Sequence, residues 1–343
     1  MSGKPAAPTI AVILPNRNDS RFIGRCIRSV LDQDEGPDQL IVVDDQSSDD
    51  SVALIRSLIA GQSRAELVQN PVNLGVYGAV EEGLKRSHSD YVLFLAANDF
   101  VLPGIFARAR ECIARWPGIG YWSALAWVVD EGGRPLRLHP SPVVALRDAY
   151  LPPQRCIELA NRVGNWFIGT TMIYRRDAVD AAGGFNPRYM GLADHLTALV
   201  VASRCGAAFS PQPYGVIRQH AHSHLEKTLA EPQRLETILG GIAGDGAQAA
   251  PQLFGAAFIE RTVRRFRAAC VRASGGAALG EIAALSRGGT RAALRLIDRI
   301  SPRWRRTRMA LAFIVLRPFD LLPMLWYRIV GWVYVRPRAR WPG

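Results

Sequence analysis

Cysteine is sparse in this 343-residue chain. The five thiols, Cys26, Cys112, Cys156, Cys205 and Cys270, are scattered and odd in number, with no CxxC pair. That argues against a disulfide framework and a zinc site, and for reduced thiols in a cytoplasmic protein. A signal peptide is not expected either: the N-terminal apolar run stops at Pro15, too early for an h-region, and reads instead as a first strand. There is no internal repeat. No nucleic-acid-binding motif accompanies the basic residues, so no nucleic-acid partner is expected. With 48% hydrophobic and 21% charged residues, the chain is neither disordered nor a polytopic membrane protein. The length allows one large domain or two modest ones.

Acidic residues are what the C-terminal part lacks. From Ala256 onward there are four (Glu260, Glu281, Asp298, Asp320) against 18 Arg and no Lys, a balance of +14, while the rest stands near neutral at −2. Such asymmetry points to an anionic surface as partner for the tail.

Along the first half, apolar runs alternate with helical spacing. Residues 9–14 (TIAVIL) read as a buried strand, followed by a helix over 21–32 with Ile23, Ile27, Val30 and Leu31 on one face. A second strand, 39–43, ends in DDQSSDD, where Ser48 or Asp49 would cap the next helix. A short strand at 67–69, a helix at 73–86 and a strand at 91–95 complete the pattern. Alternation of this kind predicts a mainly parallel, doubly wound α/β sheet. Ligands sit beyond the carboxyl ends of such strands, which marks 15–18, 44–46, 70–73 and 96–99. Farther on, 121–129 reads as a strand turning at Gly132–Gly133, 167–173 as a buried strand and 196–203 as a helix. From about 231 the chain looks helical.

Taken in order, PNRND, VVDDQSSDDS, NPVNLGVYGA, YVLFLAANDFVLPG, GTTMIYRRDAVDAAGGFNP and LADHLTAL resemble a family 2 glycosyltransferase with a GT-A fold, over about residues 9–225. The resemblance implies a GT-A-like domain at 1–230 and a basic, largely helical extension at 231–343. It implies transfer of a sugar from a nucleotide-sugar donor to an acceptor hydroxyl on a surface or lipid-linked glycan, with inversion. The alternative is a catalytically degenerate scaffold of the same fold.

The resemblance places the donor contacts on Pro15, Asn18, Asp44, Asp45, Asn73 and Asn98, with Asp45 best matched to the nucleoside. A carboxylate there accepts from base N–H or ribose hydroxyl donors; the bland alternative is a capped turn. A metal-binding D-x-D segment is replaced by Ala96-Ala97-Asn98-Asp99. A divalent cation (Mn²⁺ or Mg²⁺) would fall to Asp99 and Asn98, with His220 completing its shell, and the lost charge lowers the expected affinity. Arg218 is an alternative phosphate partner. The basic residue and Asn that often follow in the next helix are Val80 and Glu81 here; Gly75 and Gly78 read as a tight loop and close packing. Asp194 matches the general base that deprotonates the acceptor; the plainer reading is a helix N-cap. Asn165, Gly169 and Thr170 match sugar contacts of the family, although a plain buried strand suits 167–173 better.

The tail carries an apolar stretch at 309–335, interrupted by Arg317, Pro318, Asp320, Pro323 and Arg328. It is too broken for a membrane span and reads as two interfacial amphipathic helices on an anionic membrane. The competing reading is a helical bundle packed on the catalytic domain. The protein is expected on the inner face of the cytoplasmic membrane.

Overall fold

A computed structural model describes residues 7–219, 228–318 and 320–330, with single positions 333, 335 and 341. The first half alternates as expected: β1 (Ile10–Asn16), α1 (Ser20–Leu31), β2 (Gln39–Asp44), α2 (Ser51–Ile59), β3 (Ala65–Gln69), α3 (Gly75–Arg86) and β4 (Tyr91–Phe94). There follow β5 (Phe100–Val101), α4 (Ile105–Arg115), β6 (Tyr121–Val129), β7 (Pro135–Leu138), β8 (Ala149–Leu151), α5 (Pro153–Val163), β9 (Ile173–Arg175), α6 (Arg176–Ala181), α7 (Ala193–Cys205) and β10 (Ala207–Arg218). The strands form one mixed sheet in the order β3-β2-β1-β4-β9-β6-β10-β5, with β7 on β6 and β8 on β10. Parallel ladders join β3, β2, β1 and β4 on one side, and β6 with β10 on the other. The short antiparallel β9 stitches the two halves together. This is the mixed, mainly parallel α/β arrangement that the sequence predicts.

Alternation along β1 explains the two layers. Ile10, Val12 and Leu14 point to a cluster with Ile23, Ile27 and Val30 of α1 and Phe106 and Ile113 of α4. Ala11 and Ile13 point the other way, into a core shared with α5 and α7, as successive strand residues must. Gly83 on α3 permits that helix its close approach: a Cβ there would lie 2.4 Å from Ile13 Cγ2. In β10, Pro211 and Pro213 remove ladder donors, and the register shifts between Ser210 and Gly215.

Two expectations need correction. Asp49 does not cap α2 as its first residue; its carboxylate accepts from Ser51 N (3.0 Å) and from Ser20 N (2.9 Å), tying together the starts of α2 and α1. Of residues 167–173 only Ile173 lies in a strand, at the start of β9. They contain a single 3₁₀ turn, Gly169–Thr171, because Thr171 Oγ1 donates to the Ala124 and Ile168 carbonyls and accepts from Ala124 N. Local side-chain bonds of this kind compete with a sheet ladder.

The C-terminal region is helical: Pro232–Ala249, Ala256–Ala273, Leu279–Leu285, Gly288–Asp298, Arg305–Leu316 and Leu321–Val330. Leu235, Ile238, Leu279, Ile282, Leu294 and Leu316 join the same core as α5 and α7. Arg265 fastens the two parts. Its guanidinium donates to the Ala160 and Asn161 carbonyls at the end of α5 (both 3.0 Å) and pairs with buried Asp320 through two bonds of 2.9 and 2.8 Å. It thereby supplies the Asn161 carbonyl at the helix end, and adds a second donor to the Ala160 carbonyl that Gly164 N reaches at 3.0 Å. Arg317 adds a third bond to Asp320, at 2.7 Å. Among the described residues no helix is long and apolar enough to cross a membrane.

Candidate active site

The carboxyl ends of β1, β2 and β4 open on a cleft of about 740 Å³, closed on the far side by the end of β10. The loops after β1 and β2 are interlocked. Asn16 Nδ2 donates to Asp44 Oδ2 (2.7 Å), and Ser47 gives Asp44 its N–H (3.0 Å) and hydroxyl (2.6 Å). Asn18 N donates to Ser47 Oγ, and Ser48 N to Asn18 Oδ1. Holding these contacts places Asn18 (φ 56°) and Gln46 (φ 62°) in the left-handed region. Outside glycine that conformation is uncommon, and it concentrates at ligand sites.

Of the expected donor residues, Pro15, Asn18, Asp45, Asn73 and Asn98 line the cleft. Asp44 does not. It is buried with its carboxylate spent on Asn16 and Ser47, so it braces the loop and leaves the cleft to its neighbour. Adjacent strand residues face opposite ways, and only one of the pair can reach the ligand side. Asp45 is itself firmly held: it accepts from Asn70 Nδ2 (2.9 Å), Leu74 N (2.8 Å) and Gly75 N (2.8 Å). Gly75, at φ +74°, makes the bend that presents its N–H, which is also why α3 starts at 75 rather than 73.

Asp99 is buried at the cleft wall. It accepts from Thr170 Oγ1 (2.7 Å) and from Arg218 N (3.0 Å). The 3₁₀ turn that replaces the expected strand is what brings Thr170 there. The Arg218 guanidinium donates to the carbonyls of Asn98 (3.1 Å) and Glu131 (2.6 Å) and lies over the Phe22 ring at 4.7 Å. Desolvation by burial lowers its pKa, and neighbouring Arg25 and Arg21 add to the shift. Arg17 was not singled out by the motifs. It stands exposed at the cleft with no carboxylate partner among the described residues; its only sequence signal is its place just past β1. Asp99 and Asn98 offer oxygen donors of the type that Mg²⁺ and Mn²⁺ take, with a single negative charge. Among the described residues no group of three acidic, His or Cys side chains could hold a metal. His220, like His222 and His224, lies outside the described residues.

Asp194 stands at the second position of α7, whose N-cap is Leu192 with no side-chain bond. The carboxylate is therefore not the helix cap. Its Oδ1 accepts from His195 N at 2.8 Å, and a Cβ on Gly169 would lie 3.6 Å from Oδ2. Its surroundings are a side cavity of about 150 Å³ shared with Tyr77, Phe94, Tyr174 and Phe185. Asp194 is an exposed residue whose carboxyl opens on this cavity, with the aromatic walls close around it. Desolvation pushes its pKa up to about 6, against the pull of the backbone bond from His195. A carboxyl tuned toward neutrality is suited to accept a proton.

A family model described as Glycosyl transferase family 2 matches residues 11–182. Among curated proteins, the uncharacterized protein MT1568 of Mycobacterium tuberculosis is 29% identical over 245 residues, 67% of this chain and 73% of its own length. The succinoglycan biosynthesis protein ExoU of Rhizobium meliloti is 34% identical over 100 residues, 29% of each chain. Among solved structures, Staphylococcus aureus TarS 1-349 in complex with UDP-GlcNAc superposes with a TM-score of 0.60 at 17% identity, covering 97% of this chain and 93% of that one. The mannosyltransferase PcManGT of Pyrobaculum calidifontis, in complex with GDP-Man and Mn²⁺, gives 0.57 at 19% identity, covering 94% and 88%.

Proposed function

Because the chain belongs to glycosyl transferase family 2 and is a glycosyltransferase, we propose that it moves a sugar, with inversion, from a nucleoside-diphosphate donor to a hydroxyl of a lipid-linked or surface glycan. The observation that carries this reading is the place of Asp194, an exposed carboxyl on a side cavity that shares Pro15, Val76 and Ala96 with the cleft; its pKa is raised to about 6. In the transfer, Asp194 takes the acceptor's hydroxyl proton as that oxygen bonds to the anomeric carbon. The bond from that carbon to the diphosphate oxygen breaks, and nucleoside diphosphate leaves with the electron pair.

Asp45 shapes the nucleoside end of the cleft by holding the Asn70–Gly75 loop, and Asn73 and Asn18 offer amide groups beside it. Arg17 and Arg218 bring positive charge to the diphosphate. Asn98 and Asp99 would hold a divalent cation, which when bound neutralises diphosphate charge. The acceptor is brought by a membrane surface. Leu322, Leu325, Trp326 and Ile329 form an outward apolar stripe at helical spacing. Exposed Arg303, Arg305 and Arg306 precede it, and together they suit an anionic bilayer face such as the inner face of the cytoplasmic membrane.

The test is to titrate the protein with UDP-, GDP- and dTDP-sugars, with Mn²⁺ and with EDTA, for wild type and Asp99→Ala. One donor should bind in a metal-dependent way, weakened by the substitution, and its turnover should release nucleoside diphosphate. No binding of any donor at millimolar concentration, or release of pyrophosphate, would reject the reading.

A further inference from the structure

Two residues that stand where related transferases carry charge, Val80 and Ala96, line the same cavity as Asp194. The cavity adjoins the cleft and shares Pro15, Val76 and Ala96 with it. Its volume, about 150 Å³, is that of a site for one six-membered ring. Its walls are aromatic: Phe94 meets Phe185 edge-on at 4.7 Å, and Tyr77 and Tyr174 approach Phe185 at 6.3 and 5.9 Å. The tyrosines do not offer their protons inward, since Tyr77 donates to the Met190 carbonyl (2.6 Å) and Tyr174 to Met172 Sδ (3.3 Å). Asp194 is the one carboxylate of the lining.

Resting on the donor reading above, we infer that this cavity seats the donor's sugar and selects a 6-deoxyhexose over the corresponding hexose. A ring attached at the diphosphate end of the cleft enters the cavity past Ala96. A hydroxyl carried against Val80, Phe94 and Phe185 loses its water and finds no side-chain donor there among the described residues, a cost that a methyl group avoids. Where the resembled family carries an acid and a base, Ala96 and Val80 present only carbon to the cavity.

The experiment compares matched donor pairs by calorimetric titration: UDP-glucose with UDP-6-deoxyglucose, dTDP-glucose with dTDP-6-deoxyglucose, and GDP-mannose with GDP-6-deoxymannose. UDP, dTDP and GDP serve as references. In the pair whose nucleoside diphosphate binds, the deoxy member should bind about tenfold tighter or more. Ala96→Asp, and independently the near-isosteric Val80→Thr, should shrink that ratio by restoring a polar partner. Equal affinities within that pair, or tighter binding of the hexose, would overturn this inference alone. Failure of all three nucleoside diphosphates to bind would remove the donor reading and this inference with it.

Discussion

Replacing Asp194 by Asn separates chemistry from binding. With a pKa of about 6, the carboxyl is about nine-tenths ionised at pH 7 and about one-tenth at pH 5, so kcat/KM of the wild type should fall nearly tenfold per unit below pH 6. Asn cannot accept the acceptor's proton, and kcat should drop by about 10²–10⁴-fold, the usual range for a lost general base. Affinity for the nucleoside diphosphate should hold, because the cleft residues Asp45, Asn73 and Asp99 are untouched. Stability should move the other way. A folded-state pKa above the ordinary ~3.9 means that the folded protein binds this proton more tightly than the unfolded chain. The ionised carboxyl therefore costs stability as pH rises from about 4 through about 6. Asp194→Asn removes that cost, so Tm at pH 7 should rise while Tm at pH 4 barely changes. The assays are a pH series of initial rates with nucleoside diphosphate release as readout, donor titration, and thermal melts at both pH values. An acid limb near pH 4, or a variant keeping more than a tenth of the rate, would refute the assignment.

Four further outcomes follow from the described contacts. Arg265→Met leaves buried Asp320 with Arg317 alone, takes the side-chain donor from the Asn161 carbonyl and leaves the Ala160 carbonyl with Gly164 N alone; it should lower stability by about 3 kcal/mol in urea titration, and a loss below about 1 kcal/mol would contradict the role given to Arg265. Asp45→Ala removes three internal bonds that hold the Asn70–Gly75 loop and should weaken donor binding at least about tenfold in the same titrations. Burial works to raise the pKa of Asp49, but bonds from Ser51 and Ser20 outweigh it and hold the value at about 2. The stability this carboxylate contributes is complete above about pH 4 and fades as pH falls toward 2, so Asp49→Asn should flatten the acid limb of a melt series. Leu322→Ser with Trp326→Ser should cut sedimentation with anionic vesicles more than about tenfold, and raised salt should weaken wild-type binding; vesicle binding indifferent to both would speak for a tail that meets no membrane.

Much of the donor side was legible because it depends on period and punctuation. The alternation of TIAVIL, the strand ending in paired Asp and the loop before Gly75 all report local geometry, and local geometry places strand ends at a cleft. Asp44 and Asp45 mark the limit. Both stand at a strand end, and which one reaches the ligand depends on a partner, Asn16, 28 residues away in sequence. Thr170 was hidden for a similar reason. Its apolar neighbours mimic a strand, whereas its place beside Asp99 follows from bonds made by Thr171 to β6. Val80 and Ala96 were each visible as departures, but only the packing of α3 on β1 and β2, beside the end of β4, puts them around one cavity.

The Arg265 clasp sets the rules for recombining this chain with its relatives. A cut at residue 230 would strip α7 of the cover that Leu235, Ile238, Leu239 and Ile242 contribute to their common core, and take the guanidinium of Arg265 from the end of α5. The natural exchange unit is therefore not the tail by itself. It is the tail together with α5, and a chimera that trades one without the other should precipitate before it can be assayed.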